Sequence, residues 1–173
     1  MMRVAILGNS GSGKSTLAGW LTRALDLSAL DLDAVAWEPT QPAMQRPDTL
    51  AGAEVAAFCS RSPRWVVEGC YANLIERTFV YEPSLVFLNP GLEACLENCR
   101  RRPWEPHKYS SKTEQDAKLE FLLSWVAEYY TRDGALSYRA HRQCFEAYRG
   151  RKVEFEFLPL LDPPDADVRA LLR

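Results

Sequence analysis

One segment constrains the fold of this chain more than any other: Gly8-Asn9-Ser10-Gly11-Ser12-Gly13-Lys14-Ser15. It matches the pattern G-x-x-x-x-G-K-S/T of a phosphate-binding loop. A short apolar run at residues 3–7 precedes the segment, and residues 16–25 after it place apolar side chains on one helical face. A strand, a glycine-rich loop and a helix in this order direct backbone N–H groups and the positive end of a helix dipole at bound phosphates. The sequence therefore predicts that the chain binds a nucleoside triphosphate.

The side chains of this loop have separate expected roles. Lys14 carries its charge on a long stem and is expected to reach the β- and γ-phosphates as a catalytic residue. The Ser15 hydroxyl is expected to ligate Mg²⁺, and Thr16 to lie near the α-phosphate. The expected nucleotide-binding residues are Gly8, Asn9, Ser10, Gly11, Ser12, Gly13, Lys14, Ser15 and Thr16. The alternative is a glycine-rich turn that binds nothing, and the flanking strand and helix argue against it.

Length and composition indicate a single soluble domain over residues 1–173. Hydrophobic residues make up 47% of the chain and charged residues 25%, which is ordinary for a globular protein with a sizeable core. The net charge of −2 provides no general attraction to nucleic acid, so we do not expect a nucleic-acid partner. No apolar run approaches the length of a membrane span, so no membrane association is expected. The five cysteines have no metal-finger spacing, which is typical of free thiols in the cytoplasm.

Apolar runs alternate with helical patterns along the chain, which predicts an α/β fold with a parallel sheet covered on both faces. Beyond the first strand, further strands are expected at residues 28–32, 65–68, 85–88 and 153–158. Helices are expected at residues 48–60, from residue 92 to about residue 101, and at residues 165–172. A proline-containing loop is expected at residues 38–48, and Asp48 is expected to cap the helix after it.

The stretch from residue 113 to residue 150 is expected to form two consecutive helices with a break at Asp133-Gly134. It carries two apolar faces at helical spacing. One face comprises Leu119, Leu122, Leu123, Val126 and Tyr130, and the other comprises Phe121, Trp125 and Tyr129. The aromatic face predicts packing rather than stacking on a ligand.

Acidic residues end two strands that are expected to flank the phosphate-binding loop. Asp33 is expected to orient or deprotonate an acceptor hydroxyl, and Asp31 and Glu68 to hold Mg²⁺ directly or through water. The alternative is that these side chains only cap the ends of their strands. Strand alternation predicts that Asp31 and Asp33 point the same way, with Leu32 opposite.

A basic segment, Arg100-Arg101-Arg102, precedes a proline-broken loop. The charges either compensate a helix dipole or belong to a lid that closes over the phosphates and neutralises the transferring group. We favour a lid region at about residues 100–150, with Arg101 or Arg102 as the catalytic arginine. Arg139 and Arg142 are weaker candidates for the same role.

Two other pairs of potential ligands are expected to lie outside the chemistry. His107 and His141 are expected at the surface. Cys95 and Cys99 are four residues apart, as a metal pair could be, but they share a helical face with leucines. We therefore expect buried core thiols rather than a metal site.

These motifs together resemble the small P-loop kinases of the adenylate kinase and shikimate kinase group. The closer resemblance is to the bacterial proteins called DNA topology modulation proteins, or adenylate-kinase-related proteins. It rests on three further segments: Leu32-Asp33-Ala34-Val35-Ala36-Trp37, Trp65-Val66-Val67-Glu68-Gly69-Cys70-Tyr71, and residues 120–129. The resemblance implies a three-layer P-loop fold with a five-stranded parallel sheet in the order 2-3-1-4-5 and a helical lid region.

The chain also departs from these kinases, which leaves the phosphoryl acceptor open. Adenylate kinases follow their acid-glycine pair with an aromatic residue, proline and arginine, whereas Cys70-Tyr71-Ala72 stands here. The triple glycine of shikimate kinases is missing. The expected function is a kinase that transfers the γ-phosphate of Mg-ATP to a small-molecule acceptor. The alternative is a nucleotide-switched regulatory ATPase that contacts a protein or DNA partner; a GTPase switch is disfavoured because no N-K-x-D segment is present.

Overall fold

The apolar runs form the strands of one parallel sheet in the computed structural model, which describes residues 2–38, 44–106, 109–164 and 166–171. The strands are β1 (Met2–Gly8), β2 (Ser28–Asp31), β3 (Arg64–Gly69), β4 (Ser84–Leu88) and β5 (Lys152–Phe155). Their order across the sheet is β2-β3-β1-β4-β5, and neighbouring strands are parallel. The expected fold class and strand order are therefore confirmed. Part of the expected proline-containing loop (residues 39–43) and His107 lie outside the described residues.

Helices provide the crossovers that parallel neighbours require. They are α1 (Lys14–Leu25), α2 (Asp33–Ala36), α3 (Asp48–Arg61), α4 (Ala72–Glu76), α5 (Leu92–Arg100), α6 (Lys112–Ala117), α7 (Leu119–Ala127), α8 (Tyr138–Ala147) and α9 (Ala166–Leu171). Consecutive β1 side chains point to opposite sides of the sheet. Ile6 lies in one hydrophobic cluster with Leu21 of α1, whereas Leu7 lies in another with Val55 of α3. Both faces of the sheet are therefore covered, and no helix of the described residues is long and apolar enough to cross a membrane.

The last strand is shorter than predicted because its neighbour in the sheet ends. β5 lies at the edge of the sheet and pairs with β4, whose last residue, Leu88, is opposite Phe155. The chain continues after β4 as Asn89-Pro90, and proline has no N–H group to donate to a strand partner. Residues 156–158 therefore leave the sheet, and the segment 158–161 lies beside the cavity described below.

Helix α3 begins at Asp48 as predicted, but Asp48 does not cap it. Pro47 occupies the cap position, and no side chain there accepts a hydrogen bond. The Asp48 carboxylate instead accepts hydrogen bonds from Asn73 of α4 and, at 2.8 Å, from Arg77 Nη2. The capping prediction is wrong because this carboxylate turns away from its own helix toward the neighbouring one.

The helical region of residues 113–150 has the predicted break but more segments than predicted. The first expected helix is interrupted at Lys118 and ends in a 3₁₀ turn at Glu128–Tyr130. The break at Asp133-Gly134 is confirmed, and α8 begins after Ser137, whose hydroxyl oxygen accepts a cap hydrogen bond. The chain between α5 and α8 is therefore a set of short helices.

The apolar faces of this region are only partly buried. Val126 and Tyr129 are buried, but Phe121 is 76% exposed and Tyr130 is 42% exposed. The prediction that the aromatic face packs is wrong at Phe121, because the short helix α7 packs against α5 on one side and leaves this ring in solvent.

The two cysteines of α5 are core thiols, as expected. Cys95 and Cys99 are buried beside Val126. Burial raises the pKa of Cys95 to about 12, so its thiol stays protonated and inert.

Two short helices at the carboxyl ends of β2 and β3 are not signalled by the sequence. Helix α2 has four residues and α4 has five, and both are too short for a periodic pattern. Leu32 N donates a hydrogen bond to Glu68 O, 2.8 Å away, which joins the two strand ends. The turn into α2 and the turn into α4 therefore lie next to each other.

Candidate active site

A cavity of about 480 Å³ lies at the carboxyl ends of β1, β2 and β3. It is bordered by the phosphate-binding loop, by all three predicted acidic residues, by both predicted arginines and by the segment 158–161. The predicted site residues that line it are Ser10, Gly11, Gly13, Lys14, Ser15, Thr16, Asp31, Asp33, Glu68, Arg101 and Arg102. The chain thus brings most of the predicted site residues into one cavity.

Two glycines of the loop occupy backbone conformations that side chains disfavour. Gly11 has a φ of 78° and Gly13 a φ of 93°, both in the left-handed region. A Cβ atom on Gly11 would also overlap the carbonyl oxygen of Cys95. Asn98 Nδ2 donates a 2.7 Å hydrogen bond to Gly11 O, so α5 holds the loop at this point.

The Asn9 side chain holds the loop from behind, and the Ser12 hydroxyl is buried with no hydrogen-bond partner among the described residues. Asn9 is 3% exposed and Ser12 is fully buried. Asn9 Nδ2 donates to Val126 O at 3.2 Å, and Asn9 Oδ1 accepts from Ser10 N at 2.8 Å. Gly8, Asn9 and Ser12 do not line the cavity. That their backbone groups take part in nucleotide binding therefore stays a prediction.

Lys14 lies inside the curve of the loop. Its Nζ donates a 2.8 Å hydrogen bond to Asn9 O, and the residue is 7% exposed. Burial by itself lowers the pKa of Lys14, but neighbouring Cys70 and Glu68 raise the pKa overall. The ammonium group therefore stays charged beside the backbone of the loop.

Ser15 and Glu68 meet at the point where a metal ion is expected. Ser15 Oγ donates a 2.6 Å hydrogen bond to Glu68 Oε1. Burial raises the pKa of Glu68, against the opposing effect of Lys14. The described residues contain no group of three or more His, Cys, Asp or Glu side chains arranged to hold a metal. A hydroxyl and carboxylates fit Mg²⁺, which takes the rest of its ligands from phosphates and water.

Asp31 and Asp33 both border the cavity, while Leu32 between them is fully buried. The predicted orientation of the three side chains is found, although Asp33 begins α2 rather than continuing the strand. Asp31 Oδ1 accepts a hydrogen bond from Asp33 N at 2.9 Å. Asp33 Oδ1 in turn accepts a hydrogen bond from the Tyr71 hydroxyl at 2.8 Å.

The two candidate arginines leave the C-terminal end of α5 toward the cavity. Arg101 forms an ion pair with Glu97 at 2.7 Å and its side chain is 76% exposed. Arg102 forms an ion pair with Glu105 at 3.3 Å and its side chain is 28% exposed. Arg102 is thus the more enclosed of the two. Both side chains also lie at the C-terminus of α5, so each can compensate the dipole of this helix and also serve the cavity.

The weaker arginine candidates are engaged outside the cavity. Arg139 Nη2 pairs with Asp133 Oδ1 at 2.6 Å. Arg142 makes a bidentate contact with Glu154, with nitrogen-to-oxygen distances of 2.6 and 2.8 Å. Neither arginine lines the cavity, and the Arg142 pair joins α8 to β5.

His141 is not at the surface, which corrects the sequence prediction. It is fully buried, with Nε2 2.6 Å from Cys70 O and Nδ1 2.7 Å from the Tyr129 hydroxyl. Burial lowers the pKa of His141 to about 3. A carbonyl only accepts, so Nε2 carries the proton and Nδ1 accepts from Tyr129. His141 and Cys144 lie three residues apart and are both buried on α8, and this spacing was the signal that could have revealed the burial of His141.

Arg132 is a residue that the sequence analysis missed. Its guanidinium carbon lies 3.6 Å from the ring centroid of Trp125, and Nη2 lies 3.5 Å from Asn9 Oδ1. Its Nε and Nη1 are buried and have no hydrogen-bond partner in the described part of the chain. Burial lowers the pKa of Arg132. Trp125, expected only to pack, therefore supports a cation next to the phosphate-binding loop.

Several solved structures of small-molecule kinases have a fold similar to that of this chain. A gluconokinase from Sinorhizobium meliloti is similar with a TM-score of 0.57 and 19% sequence identity, over 99% of this chain and 91% of that one. A sugar kinase from Janibacter is similar with a TM-score of 0.56 and 12% identity, over 99% and 93% of the two chains. Shikimate kinase from Aquifex aeolicus has a TM-score of 0.52 and 18% identity, over 99% and 94%.

No protein-family model and no curated protein matches the sequence. The narrower resemblance to the DNA topology modulation proteins is therefore not confirmed. Identities this low establish the arrangement of the chain and leave its activity to be argued from the site. The chain has the fold of the P-loop small-molecule kinases.

Proposed function

We propose that this protein is a kinase that transfers the γ-phosphate of Mg-ATP to a hydroxyl group of a small molecule. One observation carries the proposal: Lys14, Asp33 and Arg102 border the same cavity at the carboxyl ends of the central strands. These are a phosphate-binding cation, a carboxylate able to accept a proton, and a second cation able to neutralise charge. Phosphoryl transfer needs these groups, because its catalysis is mainly positioning and electrostatic stabilisation.

The loop would hold the β- and γ-phosphates with its backbone N–H groups and Lys14. Lys14 Nζ contacts Asn9 O inside the loop, where a phosphate oxygen can replace the carbonyl as its partner. Ser15, Glu68 and Asp31 are the residues that would hold Mg²⁺, directly or through water. When bound, the ion would neutralise negative charge on the phosphates during the transfer.

Asp33 would orient the acceptor hydroxyl and receive its proton. The acceptor oxygen forms a new bond to the γ-phosphorus, and its proton moves to the Asp33 carboxylate. The bond from the γ-phosphorus to the bridging oxygen breaks, and its electron pair leaves on ADP. Arg102 would neutralise charge on the transferring group, and Arg101 borders the same cavity as a second candidate.

The segment 158–161 supports a place for the nucleotide base. Leu158, Pro159 and Leu161 line the cavity together with Thr16 and Leu17, and a Cβ atom on Gly13 would lie 3.5 Å from Leu158 Cδ2. Apolar side chains of this kind can cover a purine ring.

The five cysteines are all free, which supports the expected cytoplasmic setting.

The test is transfer of labelled phosphate from Mg-ATP to a panel of alcohols that includes gluconate, shikimate, nucleosides and nucleoside monophosphates. We expect one chemical class to exceed transfer to water by at least about tenfold. Lys14→Ala and Asp33→Asn should abolish that transfer, and the matched control Asp133→Asn should keep it. The proposal fails if no acceptor exceeds water and Asp33→Asn leaves the hydrolysis rate unchanged.

A nucleotide-switched regulatory ATPase is the second candidate, and one contact favours it. Asn9 joins the phosphate-binding loop to α7 through Val126 O, and α7 displays the exposed ring of Phe121. A conformational change in the phosphate-binding loop would therefore be transmitted to the exposed surface of α7. Titration of labelled duplex DNA with the protein in Mg-ATP and Mg-ADP tests the nucleic-acid form. Binding in Mg-ATP alone would favour a switch, and flat curves in both would remove the DNA version.

A further inference from the structure

Asp33 lies at the end of a chain of two hydrogen bonds that begins at a partly exposed indole. Trp37 Nε1 lies 2.6 Å from the Tyr71 hydroxyl oxygen, and that hydroxyl lies 2.8 Å from Asp33 Oδ1. Asp33 begins α2 and Trp37 follows it, whereas Tyr71 precedes α4. The contact thus joins two segments that are more than thirty residues apart in the sequence.

The direction of both hydrogen bonds follows from their chemistry. An indole N–H group only donates, so the Tyr71 oxygen accepts from Trp37 and its own proton points at the carboxylate. Tyr71 is 4% exposed. Burial, followed by the charge of Asp33, raises the pKa of the Tyr71 hydroxyl, which therefore keeps its proton. The hydroxyl can only donate to Asp33.

We propose that Tyr71 is the positioning residue for Asp33 and that Trp37 fixes the hydroxyl through which it acts. The inference rests on the proposed kinase function. A donor on Oδ1 fixes the plane of the Asp33 carboxylate relative to the cavity that Asp33 borders. Asp33 then meets an acceptor hydroxyl already correctly turned, as a proton acceptor must be.

A packing role for Tyr71 makes different predictions. Its ring belongs to the hydrophobic cluster that holds Leu74 and Ile75, and its carbonyl oxygen accepts hydrogen bonds from both of their N–H groups. Tyr71→Phe keeps the ring and the backbone and removes only the hydroxyl. Tyr81→Phe is the matched control, because the Tyr81 hydroxyl contacts Ser60 Oγ at 2.9 Å and Ala56 O at 3.1 Å, away from the cavity.

The measurement is kinetic and uses water as the acceptor. Release of ADP from Mg-ATP is followed for the full-length protein and for Tyr71→Phe, Trp37→Phe and Tyr81→Phe. Tyr71→Phe should lower kcat about tenfold and leave the KM for Mg-ATP within about twofold. Trp37→Phe should lower kcat by less, and Tyr81→Phe should leave it at the wild-type value. A wild-type kcat in Tyr71→Phe overturns the positioning role.

This measurement separates failure of the inference from failure of the proposed function. If wild-type protein neither binds nor turns over Mg-ATP, the kinase proposal fails, and the role of Tyr71 fails with it. If wild type turns over Mg-ATP and Tyr71→Phe matches it in kcat and KM, only the positioning role fails.

Discussion

Ser15 donates a 2.6 Å hydrogen bond to Glu68, which joins the start of α1 to the end of β3. A hydroxyl from the phosphate-binding loop and a carboxylate from a neighbouring strand thereby meet at one edge of the cavity. Burial raises the pKa of Glu68, so a divalent cation that keeps this carboxylate ionised would offset an unfavourable desolvation.

Glu68→Gln should therefore weaken the response to Mg²⁺ more than the binding of the nucleotide. The amide keeps the shape of the side chain but loses the charge that attracts the cation. We expect the Mg²⁺ concentration for half-maximal ATP hydrolysis to rise about tenfold, with binding of metal-free ATP within about threefold of wild type. Calorimetry with ATP in EDTA and hydrolysis across a Mg²⁺ series measure the two quantities. Equal Mg²⁺ curves would remove Glu68 from the metal site.

Lys14→Ala should weaken binding of Mg-ATP at least about tenfold and abolish turnover, because the loop loses its buried ammonium group. The melting temperature should stay near that of wild type, since the Lys14 ammonium group donates to the backbone of its own loop at Asn9 O. Lys118→Ala, at an exposed site between α6 and α7, is the charge-matched control. Unchanged affinity in Lys14→Ala would mean that the loop does not bind phosphate.

The phosphate-binding loop and the sheet could be predicted because their signals are local. The loop motif lies within eight residues, and β1, β3 and β4 are each centred on a short apolar run of the sequence. The position of Asp33 and Glu68 near the loop follows from the strand order, since the carboxyl ends of parallel strands share one edge. Most of the residues of the candidate site could therefore be predicted from the loop motif and the ends of the strands.

The contacts made by His141 and Arg132 could not be predicted, because their partners are distant in the sequence. His141 meets the carbonyl of Cys70, 71 positions away, and Arg132 meets Asn9, 123 positions away. Neither contact is indicated by a regular residue spacing or by the local composition of the sequence. The same is true of the bond from Tyr71 to Asp33, which depends on how the turns into α2 and α4 meet.

Gly69→Ala should destabilise the protein at the junction of β2 and β3. A Cβ atom on Gly69 would lie 2.7 Å from Leu32 Cβ, and Leu32 is fully buried. Overpacking of this kind costs about 1–3 kcal/mol. Gly19→Ala is the opposite case, because Gly19 lies inside α1 and its added Cβ would meet only the flexible Arg23 side chain, at 3.4 Å. Urea unfolding should show that Gly19→Ala raises the free energy of unfolding by about 0.5–1 kcal/mol. A Gly69→Ala variant as stable as wild type would contradict the close approach of Gly69 to Leu32.

Replacing residues 103–110 with a short glycine-serine linker should separate nucleotide binding from phosphoryl transfer. The loop and Lys14 remain, so Mg-ATP affinity should stay within about threefold of wild type, while the transfer rate falls at least about tenfold. Arg102→Gln should reproduce part of the loss, because Arg102 borders the cavity at the start of this segment. Rapid-quench measurement of a single turnover distinguishes the two effects. An undiminished rate would show that the segment is not a lid.

Acid should destabilise wild-type protein more than the variant His141→Gln. Burial lowers the pKa of His141 to about 3, below the value near 6.5 of an exposed imidazole. Between these values the unfolded chain binds the proton and the folded chain does not, so stability falls as the pH falls below about 6.5. The glutamine amide can still donate to Cys70 O and accept from Tyr129, but it does not titrate. Urea unfolding at pH 7 and pH 5 should show wild type losing about 2 kcal/mol more than the variant; the raised pKa of Glu68 acts equally in both proteins and cancels. Equal losses in the two proteins would mean that His141 is charged when folded, or that its environment is not buried.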